Sequence, residues 1–113
     1  MKIKLDFRNF SLNADLFDTE ISKKFYERLP LTVNELTRWG NELYGSIGID
    51  LGEEKPVHLI SEGGLAYTNR GNYLCLFFGQ KPAWAVEYIG KIQGDEWQKL
   101  IKADTDSLTI TQA

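Results

Sequence analysis

The sequence has one cysteine, one histidine and three prolines among 113 residues, and the scarcity of the first two excludes whole classes of chemistry. Cys75 alone cannot form an internal disulfide, so packing must hold the fold. An unpaired thiol also suits a reducing compartment, and the expected location is the cytoplasm. Cys75 and His58 together cannot supply the four ligands of a structural zinc site, and neither a metal nor another cofactor is expected. Long apolar runs are missing too. The longest, Leu74 to Phe78, falls far short of the ~20 residues that cross a bilayer as a helix. At the N-terminus Ile3, Leu5 and Phe7 alternate with Lys2, Lys4, Asp6 and Arg8, which does not read as a targeting segment. Basic excess is absent: 13 Lys and Arg stand against 16 Asp and Glu, for a net charge of −3. Charges of both signs are interspersed, which argues against nucleic acid and membrane surfaces as partners.

What is present is alternation. Residues 2–8 switch strictly between polar and apolar, Asn9 breaks the pattern, and residues 11–17 resume it with Leu12, Ala14 and Leu16 on one face, which predicts a β-hairpin. A helix follows. Asp18 or Thr19 can cap it, Ile21, Phe25 and Leu29 form one apolar stripe, and Pro30 stops it. Strands are predicted over 31–36, 42–44, 57–60, 65–68, 73–78, 83–89 and 107–111. Turns fall at 39–41, 61–64 and 69–72, and polar loops at 52–56 and 80–82. The nearly continuous apolar text of Tyr73–Phe78 fits a central strand buried on both faces. Asp95 and Gln98 have the spacing of a capping box for a second short helix with Trp97, Leu100 and Ile101 inward. No repeat, linker or low-complexity segment divides residues 1–113. The expected architecture is one mainly-β domain, a closed barrel of about eight strands with two short helices.

Few side chains point to chemistry. His58 and Cys75 would need to meet across a sheet to act as a base and nucleophile, but Cys75 sits in apolar text, where burial makes a thiol inert. Glu53–Glu54 reads as solvated charge in a polar loop. Gly63–Gly64 and the Gly45/Gly48 pair lack the strand–glycine–helix order of a phosphate cradle and read as turns or bulges. The aromatics are more suggestive. Most fill a core, but Trp39 lies at a Gly-Asn turn beside Arg38, and Tyr67 lies near the Arg70 turn. An aromatic with an arginine at a barrel mouth can hold a peptide or small ligand. The candidate ligand-binding residues are therefore Arg38, Trp39, Tyr44, Tyr67 and Arg70.

Trp39-Gly40-Asn41-Glu42-Leu43-Tyr44, Gly63 to Tyr67, Leu74-Cys75-Leu76-Phe77-Phe78-Gly79, Lys81-Pro82 and Ile89-Gly90-Lys91-Ile92 occur in this order, after Leu29-Pro30-Leu31-Thr32. The set resembles the small stand-alone cyclophilin-like proteins of bacteria and archaea, and the likeness implies a closed cyclophilin-like β-barrel. Three departures stand out. The family's Tyr-aromatic-Pro-Pro-Gly turn is Tyr67-Thr68-Asn69-Arg70-Gly71 here. Gly64 replaces the aspartate that commonly follows the glycine matched to Gly63. The segment after Pro82 is short.

True cyclophilins isomerise X–Pro bonds with the help of an arginine. Their Phe-His-Arg and Gln-Gly-Gly-Asp segments are absent, and none of Arg8, Arg28, Arg38 and Arg70 sits in a matching context. The resulting expectation is not an enzyme but a binding module for a peptide, a small ligand or a protein partner. The alternative is a weak peptidyl-prolyl isomerase, read out by a protease-coupled assay on an X–Pro peptide.

Overall fold

The computed structural model describes all residues from Met1 to Ala113. Alternation at the N-terminus gives the expected hairpin. Strand β1 (Lys2–Asp6) pairs antiparallel with β2 (Ser11–Leu16), placing Ile3 against Ala14 and Leu5 against Leu12. The one α-helix, α1 (Glu20–Glu27), follows at once. Thr19, not Asp18, caps it: Thr19 Oγ1 accepts from the Ser22 amide at 3.1 Å, satisfying one of the free N–H groups of the first turn. The Ser22 hydroxyl then donates to the Ile89 carbonyl at 2.8 Å, fastening the helix to the sheet.

The remaining strands are β3 (Leu31–Val33), β4 (Thr37–Arg38), β5 (Glu42–Ser46), β6 (Gly64–Thr68), β7 (Tyr73–Phe77), β8 (Glu87–Ile92) and β9 (Leu108–Gln112). They join β1 and β2 in a single antiparallel sheet of order β3-β9-β1-β2-β8-β6-β7-β5-β4. The sheet curls into a half-barrel of nine strands with one α-helix, which corrects the expected closed barrel of eight strands and two helices. The ladder stays open for a geometric reason. Its two edges, β3 and β4, follow each other in the chain with only residues 34–36 between them. A ladder needs two strands side by side, and here the chain turns the corner instead, pinned by the Leu36 amide donating to the Asp106 carbonyl at 2.9 Å.

Other local readings shift. The single strand expected over 31–36 is split into β3 and β4 by this corner. Residues 57–60 form no strand and make one isolated bridge, Val57 to Val86. The strand expected at 83–89 begins at Glu87, and the segment before it is a loop. The second helix is a 3-10 turn, Glu96–Leu100, and Asp95 makes no side-chain cap hydrogen bond. Asp95 has φ −109° and ψ 17°, away from the extended backbone from which a capping side chain reaches the first turn.

Inward side chains from all sides of the curl form one large core: Ile3, Leu5, Leu12, Phe25, Leu65, Leu76 and Ile110 are fully buried in it. Each such side chain contributes ~1.5–3 kcal/mol relative to exposure. Gly45 lets the corner lie against β5. A methyl group there would meet Val33 Cγ1 and stand 2.6 Å from the Glu35 carbonyl oxygen. Gly45→Ala is therefore expected to destabilise the protein by about 1–3 kcal/mol, read as a lowered urea midpoint with an unchanged slope. A midpoint equal to wild type would show that the corner moves freely. No helix is long and apolar enough to cross a membrane.

Candidate functional site

Strand β7 is apolar on both faces, and the sheet uses both. Leu74, Leu76 and Phe78 point into the main core, while Cys75 and Phe77 point the other way. The alternate residues of neighbouring strands do the same: Tyr44 and Glu42 on β5, Ala66 and Thr68 on β6. Over this second face passes the loop 82–86 that precedes β8. Between loop and sheet lies a cavity of about 290 Å³, lined by eleven residues, eight of them hydrophobic. Its aromatic wall is Trp39, Tyr44, Tyr73, Phe77 and Trp84; Pro82, Ala83 and Val86 come from the loop, and Thr68, Cys75 and Glu42 from the floor.

Local hydrogen bonds set the shape. Trp84 Nε1 donates to Thr68 Oγ1 at 2.9 Å, which fixes the indole over β6. Tyr44 and Tyr73 meet edge to face with centroids 5.2 Å apart. The Trp39 amide donates to the Glu42 carbonyl at 2.9 Å, closing the tight β4–β5 turn that brings the half-exposed Trp39 ring to the rim. The Gln80 side-chain oxygen accepts from the Asn41 amide at 2.6 Å and anchors the far end of that turn.

Two buried carboxylates stand in contrast. Glu87 accepts from the Glu54 and Lys55 amides at 3.1 and 3.0 Å and so holds the 52–56 loop. Glu42 takes part in none of the molecule's ion pairs. It is only 5 % exposed, yet it is one of the residues that line the cavity. Burial pushes it from 4.5 up to about 7, against the smaller opposing pull of the Cys75 thiol and the Gln80 side chain. Burial, and then the Glu42 charge, pushes the Cys75 thiol well up, which leaves it a poor nucleophile. His58 stands exposed in its loop.

Of the five residues singled out in sequence, the structure brings Trp39 and Tyr44 into the cavity wall. Arg70 lies at the margin, its guanidinium carbon 5.1 Å from the centroid of Trp84. Arg38 points elsewhere: it donates to the Leu100 and Ala103 carbonyls, both at 2.8 Å, and packs 5.3 Å over Phe78. Tyr67 is fully buried on the core side of β6. Its hydroxyl accepts from the Leu51 amide at 2.8 Å and lies 3.0 Å from the Ile49 carbonyl and 2.9 Å from Asn72 Oδ1, so it fastens the 47–51 segment to the sheet. These five do not share one concavity, and the cavity opens on the sheet face away from the core. Sequence reasoning missed Glu42, Tyr73, Cys75, Phe77 and Trp84 as a group. The available signal was Glu42, the one charged side chain on the same face of β5 as Tyr44.

The family described as cyclophilin-like matches residues 1–111. A solution structure described as the hypothetical protein AF2241 from Archaeoglobus fulgidus is similar with a TM-score of 0.82 and 26% identity, over 100% of this chain and 95% of that one. A structure of McbB in complex with tryptophan is similar in fold, with a TM-score of 0.76 and 14% identity, over 97% of this chain and 44% of that one. No curated protein matches the sequence.

Proposed function

The chain belongs to the cyclophilin-like family, and from that premise we propose that it is a binding module whose site is the aromatic cavity between β5, β6, β7 and the 82–86 loop. One observation carries this reading: a sheet face that would otherwise be wet is apolar, roofed and hollow. Side chains on a solvent face of an antiparallel sheet are ordinarily polar. Here Tyr44, Tyr73, Phe77 and Trp84 surround about 290 Å³ of space. That volume matches the lower end of small-ligand sites, ~300 Å³, and the few polar groups at its floor are the kind that orient a guest. It fits one flat ring with a short substituent, free or as a peptide side chain.

A binding module is favoured over an isomerase by the state of the arginines. Both guanidinium hydrogen bonds of Arg38 go to backbone carbonyls outside the cavity, and Arg70 lies on the indole of Trp84.

The test uses 2-phenylethanol, a neutral ring with a short arm, and follows the three indole N–H signals by NMR. Trp39 and Trp84 line the cavity, whereas Trp97 packs at Gly63 and serves as an internal control. The expected result is saturable movement of the Trp39 and Trp84 signals with Trp97 still. Trp84→Ala should weaken binding at least tenfold, which is ~1.4 kcal/mol. Equal movement of all three signals overturns the reading, as does the absence of movement with both this alcohol and phenethylamine, its amine counterpart.

A further inference from the structure

The cavity has one carboxyl in its lining and no cation of the protein to pair with it once it ionises. Ten of the eleven lining residues are uncharged, and the eleventh is Glu42. A carboxylate removed from water is costly unless it is paired. No cation pairs with this one: the ion pairs of the molecule are Lys2–Asp15, Lys23 with Asp18 and Glu20, and Lys99–Glu96. Arg38, four residues earlier, is held by the Leu100 and Ala103 carbonyls. Arg70 reaches only the Trp84 ring. The groups that face Glu42 are the Cys75 thiol from β7 and Gln80 from the loop after it, with Tyr44 and Tyr73 sharing the same lining. None of these is a cation.

The walls add a second, independent preference. Ring faces carry negative electrostatic potential and attract cations, most strongly when water is excluded. Trp84 already shows this by taking the Arg70 guanidinium at 5.1 Å from its centroid. Trp39, Tyr44 and Tyr73 line the same space without such a partner.

We propose that the ligand of this cavity is a small organic cation, an ammonium or methylated ammonium on an apolar body, with Glu42 as its counter-charge and the Trp39, Tyr44 and Tyr73 rings around it. This rests on the binding reading above and names the class of guest. Above pH 7 an anion is excluded by the Glu42 charge. A neutral guest fills the space but leaves Glu42 protonated. A cation lets Glu42 ionise, so binding releases a proton in the range where the free carboxyl is still protonated. Because burial raises that carboxyl to about 7, the affinity for a cation should rise as pH climbs through 7 and level off above it.

Three compounds with one ring separate the possibilities: phenethylamine, 2-phenylethanol and phenylacetate, titrated at pH 5 and pH 8 with the Trp39 and Trp84 indole signals as readout. An aliphatic amine stays protonated at both values, as its ordinary pKa is ~10. The amine is expected to bind at least about tenfold tighter at pH 8 than at pH 5, and tighter than the alcohol at pH 8, while phenylacetate fails at pH 8. In Glu42→Gln the amine should lose both its advantage and its pH dependence while the alcohol still binds. If the alcohol binds wild type and the amine binds no better at pH 8, the charge proposal falls and the apolar binding site stands. An amine preference that survives in Glu42→Gln also overturns it. If none of the three moves the indole signals, the binding reading itself fails. The wild-type pH profile needs no substitution, so the proposal stays testable even if the variant folds poorly.

Discussion

Glu42→Gln should make the free protein more stable at pH 8 than wild type, by about 2 kcal/mol. The sign follows from proton counting. An unfolded chain releases the Glu42 proton near 4.5, whereas the folded one holds it until about 7. Between those values the folded state carries the extra proton, so stability falls as pH rises and the loss is complete above 7. The full shift would amount to a ceiling of about 3 kcal/mol at ~1.4 kcal/mol for each pH unit. The cavity mouth admits water, which screens the charge and lowers the figure to about 2 kcal/mol. For a domain of this size that is a rise of roughly 8 °C in Tm at pH 8, with wild type and variant nearly equal at pH 4.5. Melting curves for both proteins at four or five pH values check it. Parallel pH profiles would mean that Glu42 titrates as an ordinary surface carboxylate. Were the difference confirmed, the free protein would be carrying an unpaired charge at a cost in stability, as a preorganised site does when its guest is absent.

The second large effect is at the opposite side of the sheet. Phe25 is the fully buried centre of the apolar stripe of α1, set among the main-core residues. Phe25→Ala should cost about 3–5 kcal/mol, the sum of lost transfer free energy and the hole left behind. A domain of this kind has ~5–15 kcal/mol in all, so the variant would be marginal at 37 °C. Chemical denaturation at 15 °C gives the number. A loss below 1 kcal/mol would show that the helix is a surface ornament and not part of the core. Since Phe25 faces the main core and the cavity lies on the other side of β7, the folded fraction should bind 2-phenylethanol as wild type does.

These two predictions sit on opposite faces of one sheet, and that arrangement bears on what the sequence could reveal. Period-two text placed the N-terminal hairpin within a residue or two, because each polar–apolar switch there has one wet face and one dry one. The helix was equally legible, since Ile21 and Phe25 fall on one side of a 3.6-residue repeat and Thr19 supplies the cap. The same rule is silent on Tyr73–Phe78. When every residue is apolar, alternation cannot say which face meets the core and which meets a cavity, and only the pairing of β7 with β5 and β6 decides. Loop 82–86 looked like strand because Ala83, Trp84 and Ala85 are compatible with one. It became a roof because Val57 and Val86 bridge only once and the ladder of β8 starts later.

The candidate site illustrates the same division residue by residue. Arg38 and Trp39 are neighbours in the chain, and sequence proximity argued for a joint role. Strand β4 ends at Arg38, which donates to the Leu100 and Ala103 carbonyls, and the turn that follows carries Trp39 to the cavity rim. Tyr67 and Thr68, successive residues of β6, point to opposite faces, Tyr67 into the core and Thr68 under the Trp84 indole.

Composition and periodicity by themselves determined a mainly-β domain with an inward apolar face and one capped helix, because those properties are local and repeat every two or 3.6 residues. Tertiary structure alone decided that the sheet stays open at the β3–β4 corner, that a second apolar face is roofed by a loop, and that Glu42 lines the same cavity as the aromatics. Each of those depends on which distant strands lie side by side, and no spacing along the chain records that.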